Sequence, residues 1–219
     1  MTGHYALEES ERPVEYMPID EDEHGTYLMN SRDLCAIDLL KELHEAGVKS
    51  FKVEGRSKSV YYAAVVTRAY RRAIDRMAAG LPLDPALLEE VYSTSNRGFI
   101  PGFLKGSPGN AAQKYDDSAA GNCTHRFSGI LRSYDAGAKL MKVELRNPIH
   151  QGMTLEMIRP DGNEALEDIA LFDQDMRPVE TAHGGAGHCY IPYDTDPGEF
   201  VLFRERYAAP ALISGVGSL

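Results

Sequence analysis

Across residues 31–47 the apolar positions Leu34, Ile37, Leu40 and Leu43 recur every third residue. That spacing predicts a helix with one buried stripe, stopped at Gly47. Asn30 and Ser31 offer oxygens to cap its start, and Asp33 sets a carboxylate in its first turn, where the helix dipole favours it. Residues 27–29 (YLM) before it predict a short strand, and residues 48–53 (VKSFKV) after it a second, running at once into the turn Glu54-Gly55-Arg56. A longer helix is predicted from Ser59 to Ala79, lined by Tyr62, Val66, Ala69, Ala73 and Met77 and ended by Gly80 and Pro82. Residues 84–92 (DPALLEEVY) form a short helix capped by Asp84, with Pro85 in its first turn. Residues 1–26, acidic and without a clear period, are expected to be an extended lead-in.

The order over residues 27–80 is strand, helix, strand, helix, the alternation of an α/β fold with parallel strands. Two such units can neither bury both faces of a parallel sheet nor close a barrel. More chain or a partner is therefore expected to complete them, and exposed apolar surface should drive self-association of the chain alone. A glycine- and proline-punctuated stretch over residues 93–121 holds the expected domain boundary. Residues 1–110 form the α/β part plus linker, and residues 111–219 a β domain. In that domain six short strands are predicted, over residues 127–133, 139–145, 153–158, 164–172, 189–193 and 200–204. Turn signals such as Asp135-Ala136-Gly137 and Asp196-Pro197-Gly198 separate them. Their number and spacing predict a small closed barrel.

Composition narrows the picture. With 43% hydrophobic and 26% charged residues the chain is of ordinary globular type. The polar, acidic start and the lack of a long apolar run lead to the expectation of a cytoplasmic protein with no membrane partner. Cys35, Cys123 and Cys189 are odd in number and widely spaced, which is no disulfide framework and no zinc motif. His183, His188 and Cys189, like Cys123-Thr124-His125, lack recognised ligand spacing. The net charge of −10 excludes a uniformly cationic nucleic-acid binder. Residues 56–76 nevertheless gather Arg56, Lys58, Arg68, Arg71, Arg72 and Arg76 against Asp75 alone. Such a face binds phosphate or simply faces water. No G-x-S-x-G or H-E-x-x-H motif supports a known hydrolytic site.

Four runs carry a family resemblance. Residues 21–35 (EDEHGTYLMNSRDLC) and residues 46–56 (AGVKSFKVEGR), continued through residues 57–75, resemble the last barrel segments of the collagenase-like peptidase family U32. Asn96-Arg97-Gly98-Phe99 with Gly102-Phe103-Leu104 resembles a further motif of that family, and residues 125–204 its carboxy-terminal β domain. The resemblance implies a partial TIM-type barrel, here its last strand–helix units, followed by a small all-β barrel. It implies a carboxy-terminal portion of an iron–sulfur enzyme that hydroxylates a tRNA uridine. The alternatives are proteolysis, as the family name says, or a non-catalytic fragment that binds RNA or a partner, so whether this chain is itself an enzyme stays open. The cluster is expected on four cysteines of the complete protein, three of them upstream. Cys35 alone matches a ligand position, and no cofactor is expected on this chain by itself. tRNA and a companion chain or missing amino-terminal half are the expected partners.

Site candidates follow. Glu54 can serve as acid, base or hydrogen-bonding group, and Arg56 can clamp a carboxylate or phosphate; the alternative is a structural ion pair between them. Gly55 is expected to permit a sharp turn or a close approach to ligand. Lys52 shares the face of Glu54 if the segment is a strand. Arg97, Arg71 and Arg72 are candidate substrate contacts. Cys35, on the first turn of its predicted helix, is the candidate metal ligand.

Overall fold

A computed structural model describes residues 5–10, 12–22, 25–27, 31–112, 123–184 and 187–206. The chain divides into two units, Met1–Cys123 and Thr124–Leu219.

The first unit opens with an antiparallel ribbon of β1 (Tyr5–Glu9), β2 (Arg12–Asp22) and β3 (Gly25–Tyr27), where an extended lead-in was predicted. Of the predicted strand over residues 27–29, Tyr27 ends β3 and residues 28–29 lie outside the described residues. The helix predicted over residues 31–47 is only partly formed. Asp33–Leu34 is a strand, β4, and the helical part is a 3-10 turn over Ile37–Leu39 leading into α1 (Leu40–Glu45). The cause is local competition for backbone donors. The N–H groups of Arg32, Asp33 and Cys35 bond to the carbonyls of Ala112, Gly98 and Ile100, at 2.8–2.9 Å, and cannot then open a helix. Helix α1 still ends as expected, with Gly47 at φ +97.

Residues 48–53 enter no strand. Helix α2 (Val60–Ala78) follows, its start held by the Ser59 hydroxyl accepting the Tyr62 N–H at 3.2 Å. Helix α3 (Pro85–Tyr92) is capped by Asp84, as read from the sequence. A second short strand, β5 (Phe99–Ile100), pairs parallel with β4. Cys35, Ile37, Leu40, Ala69, Ala73, Leu87 and Val91 form the buried core of this unit, and an Arg68–Glu90 ion pair links α2 to α3. On α2 the buried stripe is Tyr61, Val65, Val66, Ala69 and Ala73, so Tyr62 is left half-buried to one side. The parallel pairing expected of an α/β fold is thus present, but as one two-residue ladder among the described residues and not as a barrel.

The second unit is a six-stranded antiparallel sheet. Its strands are β6 (His125–Asp135), β7 (Leu140–Leu145), β9 (Leu155–Ile158), β10 (Asn163–Leu166), β12 (His188–Pro192) and β13 (Leu202–Arg206), in the order β10-β9-β13-β6-β7-β12. β8 (Ile149–His150) and β11 (Thr181–Ala182) form a separate pair. Strand β7 alternates strictly, with Met141, Val143 and Leu145 inward onto Phe203, Met157, Leu155 and Ile191. The predicted turns hold: the Asp135 carboxylate accepts the N–H groups of Gly137 and Ala138, and that of Asp196 accepts the Gly198 N–H.

The closed barrel predicted for this domain is not formed. The expected strand over residues 164–172 stops at Leu166, two residues before Asp168 takes a left-handed conformation at φ +50. A non-glycine residue in that region cannot continue a strand. No ladder joins the edge strands β10 and β12 among the described residues. Instead the Tyr193 hydroxyl, just past β12, donates to the Glu164 carboxylate at 2.8 Å.

Inside the β unit lies a charged cluster. Arg204 on β13 is 4% exposed and donates through Nε to Glu156 on β9 at 2.6 Å. Asn163 also donates to Glu156, and His125 Nε2 stands 3.8 Å from it. Burial alone would raise the Glu156 carboxyl, but the hydrogen bond and charge of Arg204 outweigh it and hold the pKa below its ordinary 4.5.

Candidate functional site

A cleft of about 490 Å³ opens in the first unit between the β4–β5 pair, the segment over residues 50–54 and helix α2. Cys35 lines it one residue past β4, with its backbone tied to β5 and its side chain 7% exposed. It is not on a helix, because β4 has taken the residues predicted for the first turn. Its polar neighbour is Tyr70 of α2, whose hydroxyl lies 3.6 Å from Sγ and accepts the Ala36 N–H at 3.0 Å. Burial pushes the Tyr70 hydroxyl far above its ordinary pKa, outweighing the Ala36 bond, so it stays protonated at neutral pH. Its one proton is then available to point at the sulfur. Tyr62, eight residues earlier, lines the same wall and is likewise raised, first by burial and then by the charges of Asp33, Cys35 and Glu54.

At the mouth the Asp33 carboxylate gathers two cations. It accepts from Arg97 Nη2 at 2.9 Å and from the Arg97 backbone N–H at 3.1 Å, and Lys58 Nζ stands 3.8 Å away. Burial alone would raise Asp33, but the Arg97 hydrogen bonds and the Lys58 charge hold it below its ordinary value of 3.8. Lys58 also lies over the Tyr62 ring, 5.3 Å from its centroid. Lys52 and Glu54 also line the cleft.

Of the residues chosen from the sequence, the structure therefore brings Cys35, Lys52, Glu54 and Arg97 to one cleft. Glu54 accepts the Arg56 backbone N–H at 2.9 Å, and the exposed Arg56 side chain is not part of the cleft lining. Gly55 is not in a left-handed conformation, and a Cβ there would make only ordinary contact with Tyr62 at 3.6 Å. Arg71 and Arg72 are exposed on α2, and Arg71 pairs with Asp75 one turn on. Sequence reasoning missed Asp33 as an anchor for cations and Tyr70 as the neighbour of Cys35. The spacing Tyr62, Val66, Tyr70, at four and eight residues, held the signal for the second.

An iron–sulfur cluster takes four ligands, usually thiolates, and this cleft offers Cys35. The Cys123 thiol donates to the Ser93 carbonyl at 3.4 Å, and Cys189 lies in the core of the other unit, where burial pushes its thiol up to about 12. No group of three or more His, Cys, Asp or Glu among the described residues can hold a metal ion. The described residues do not by themselves fit a cluster. No helix among them is long and apolar enough to cross a membrane.

The model of peptidase family U32 matches residues 3–114, and that of the U32 carboxy-terminal domain matches residues 123–204. tRNA hydroxylation protein P of Escherichia coli is 37% identical over 202 residues, covering 91% of this chain and 44% of its own length. A collagenase of Porphyromonas gingivalis is 25% identical over 171 residues, covering 76% of this chain and 41% of its own. The chain thus spans less than half the length of these relatives. The crystal structure of the carboxy-terminal domain of a U32 protein from Geobacillus thermoleovorans aligns with 37% of this chain and 91% of its own, at 19% identity and a TM-score of 0.32.

Proposed function

Because this chain belongs to peptidase family U32, we propose that it is the carboxy-terminal part of an enzyme that hydroxylates tRNA, with the cleft at Asp33 and Cys35 facing the RNA. One observation carries the reading. In a chain of net charge −10, Lys52, Lys58 and Arg97 converge on a single cleft that ends in a buried thiol and two tyrosine hydroxyls. Cations at the rim hold phosphate and position the strand, while base contacts fall to groups deeper in the site. Tyr62 and Phe99 there offer ring surface to a base, and Glu54 a hydrogen-bond acceptor. Cys35 would supply at most one thiolate to an iron–sulfur cluster, the remaining ligands coming from elsewhere. The relative named for tRNA hydroxylation and covering 91% of this chain supports the substrate class.

Proteolysis finds less support in the cleft. A cysteine nucleophile needs a base to take its proton, and the polar neighbour of Cys35 is a tyrosine that burial keeps protonated.

Titration of the purified chain with tRNA at several salt concentrations tests the proposal. Replacing Lys52 and Lys58 together by alanine is expected to weaken binding roughly tenfold near physiological salt and to lower the slope of log K against log salt by about 1.4, at ~0.7 for each single-strand phosphate contact. Unchanged affinity and slope would reject the cleft as the RNA face. Cleavage of a collagen peptide by the pure chain, lost in Cys35→Ala, would favour the peptidase reading instead.

A further inference from the structure

The carboxylate nearest the proposed phosphate contacts presents an apparent contradiction. An acid at the mouth of an RNA-binding cleft repels the backbone it is meant to receive. Asp33 nevertheless sits between Lys58 and Arg97, and its surroundings are built to keep it there. Its own N–H bonds to the Gly98 carbonyl at 2.9 Å, and the β4–β5 ladder sets it opposite Phe99. Three bonds from Arg97 reach its two oxygens, from the backbone N–H, Nε and Nη2, at 3.1, 3.3 and 2.9 Å.

The turn that carries Arg97 is equally fixed. Asn96 is 2% exposed; its amide donates to the carbonyls of Thr94 and Tyr92, and its Oδ1 accepts the Gly98 N–H at 2.9 Å. Gly98 is at φ +88, and a Cβ there would meet the Arg32 guanidinium at 2.9 Å. Backbone and guanidinium of Arg97 are therefore both tied to one carboxylate, while about half of the side chain stays exposed at the cleft mouth. An arginine held in this way has already lost the rotamer freedom that binding would otherwise remove.

We propose that Asp33 is a positioning residue, which seats the Arg97 guanidinium to receive a phosphate of the bound tRNA. This rests on the RNA reading of the cleft. It assigns the acid a favourable part in binding a polyanion, against its own charge.

The sign of one substitution decides. Simple electrostatics expects Asp33→Asn to tighten tRNA binding, because a negative charge is removed. Positioning expects the reverse: a loss of about fivefold near physiological salt and a drop of ~0.7 in the salt slope, equal to that of Arg97→Gln, since one phosphate contact is lost in each case. In the Arg97→Gln background, Asp33→Asn should then produce no further loss. Tighter or unchanged binding by Asp33→Asn would overturn the proposal, as would an equal loss in both backgrounds, which would mark a merely structural role. If Asp33→Asn does not fold, Arg97→Lys decides. It keeps the charge but loses the forked geometry, and affinity like that of Arg97→Gln supports the proposal, whereas wild-type affinity refutes it. A wild-type chain that binds no tRNA at any salt removes the RNA reading itself; binding that survives with the wrong sign removes only the role of Asp33.

Discussion

Glu156→Gln is expected to destabilise the β unit by about 3–5 kcal/mol, because it removes the carboxylate to which a buried guanidinium donates. Arg204 is 4% exposed, so its guanidinium has little recourse to water once the carboxylate is gone. The converse change should cost less, because Glu156 keeps a quarter of its side chain exposed and can be solvated in place. Replacing both, by Glu156→Gln with Arg204→Met, should recover much of the loss, since an apolar side chain in that position needs no partner. Urea unfolding with hydrogen exchange at the amides of β9 and β13 reads the effect in this unit separately from the other.

A pH dependence follows from the same pair. The folded pKa of Glu156 lies below its ordinary 4.5. Its stabilisation is therefore fully present above that value and is lost as the pH falls through the lower, folded value. The gap between wild type and Glu156→Gln should close as the pH falls below about 4.5. A gap that stayed constant down to pH 2 would show that the charge of Glu156 is not what holds Arg204.

Gly129→Ala is the second large effect, about 3 kcal/mol, at the upper end of what overpacking a core costs. Gly129 lies on β6, paired with Leu145 of β7 on one side and Phe203 of β13 on the other. A Cβ there would stand 2.6 Å from Val143 Cγ1 and 2.8 Å from the Glu144 carbonyl oxygen. The valine methyl can turn aside, but the carbonyl belongs to the ladder and can move only if β6 and β7 separate. Backbone freedom is not the reason for glycine here, since its φ is not left-handed. Gly162→Ala, at a turn where nothing lies within 4 Å of the added carbon, provides the control and should be near neutral. Equal thermal stability of the two variants would refute the steric account.

Much of this protein could be read along the chain because the signals were local. Helices α2 and α3 announced themselves through periodicity, and α3 also through its cap Asp84. The β texture after residue 125 and the turns at Asp135 and Asp196 follow from residue types that bond to their own backbone within three positions. Family membership was legible for the same reason, in contiguous runs such as residues 46–56, and the family model for residues 3–114 bears it out. Of the cleft, Cys35, Lys52, Glu54 and Arg97 could be picked out by type.

What escaped the sequence depends on partners far along the chain. Whether residues 33–34 begin a helix or join a strand is decided by β5 and Gly98 before it, far along the chain, where the Gly98 and Ile100 carbonyls take the Asp33 and Cys35 N–H groups. The same pairing moved Cys35 off a helix and turned Asp33 from a dipole partner into the anchor of Arg97. Closure of the β domain likewise hung on whether Leu166 and Asp168 continued one strand, a choice that local propensity does not make. Sequence settled the family and the elements whose signals are local; long-range hydrogen bonds decided which side chains meet in the cleft.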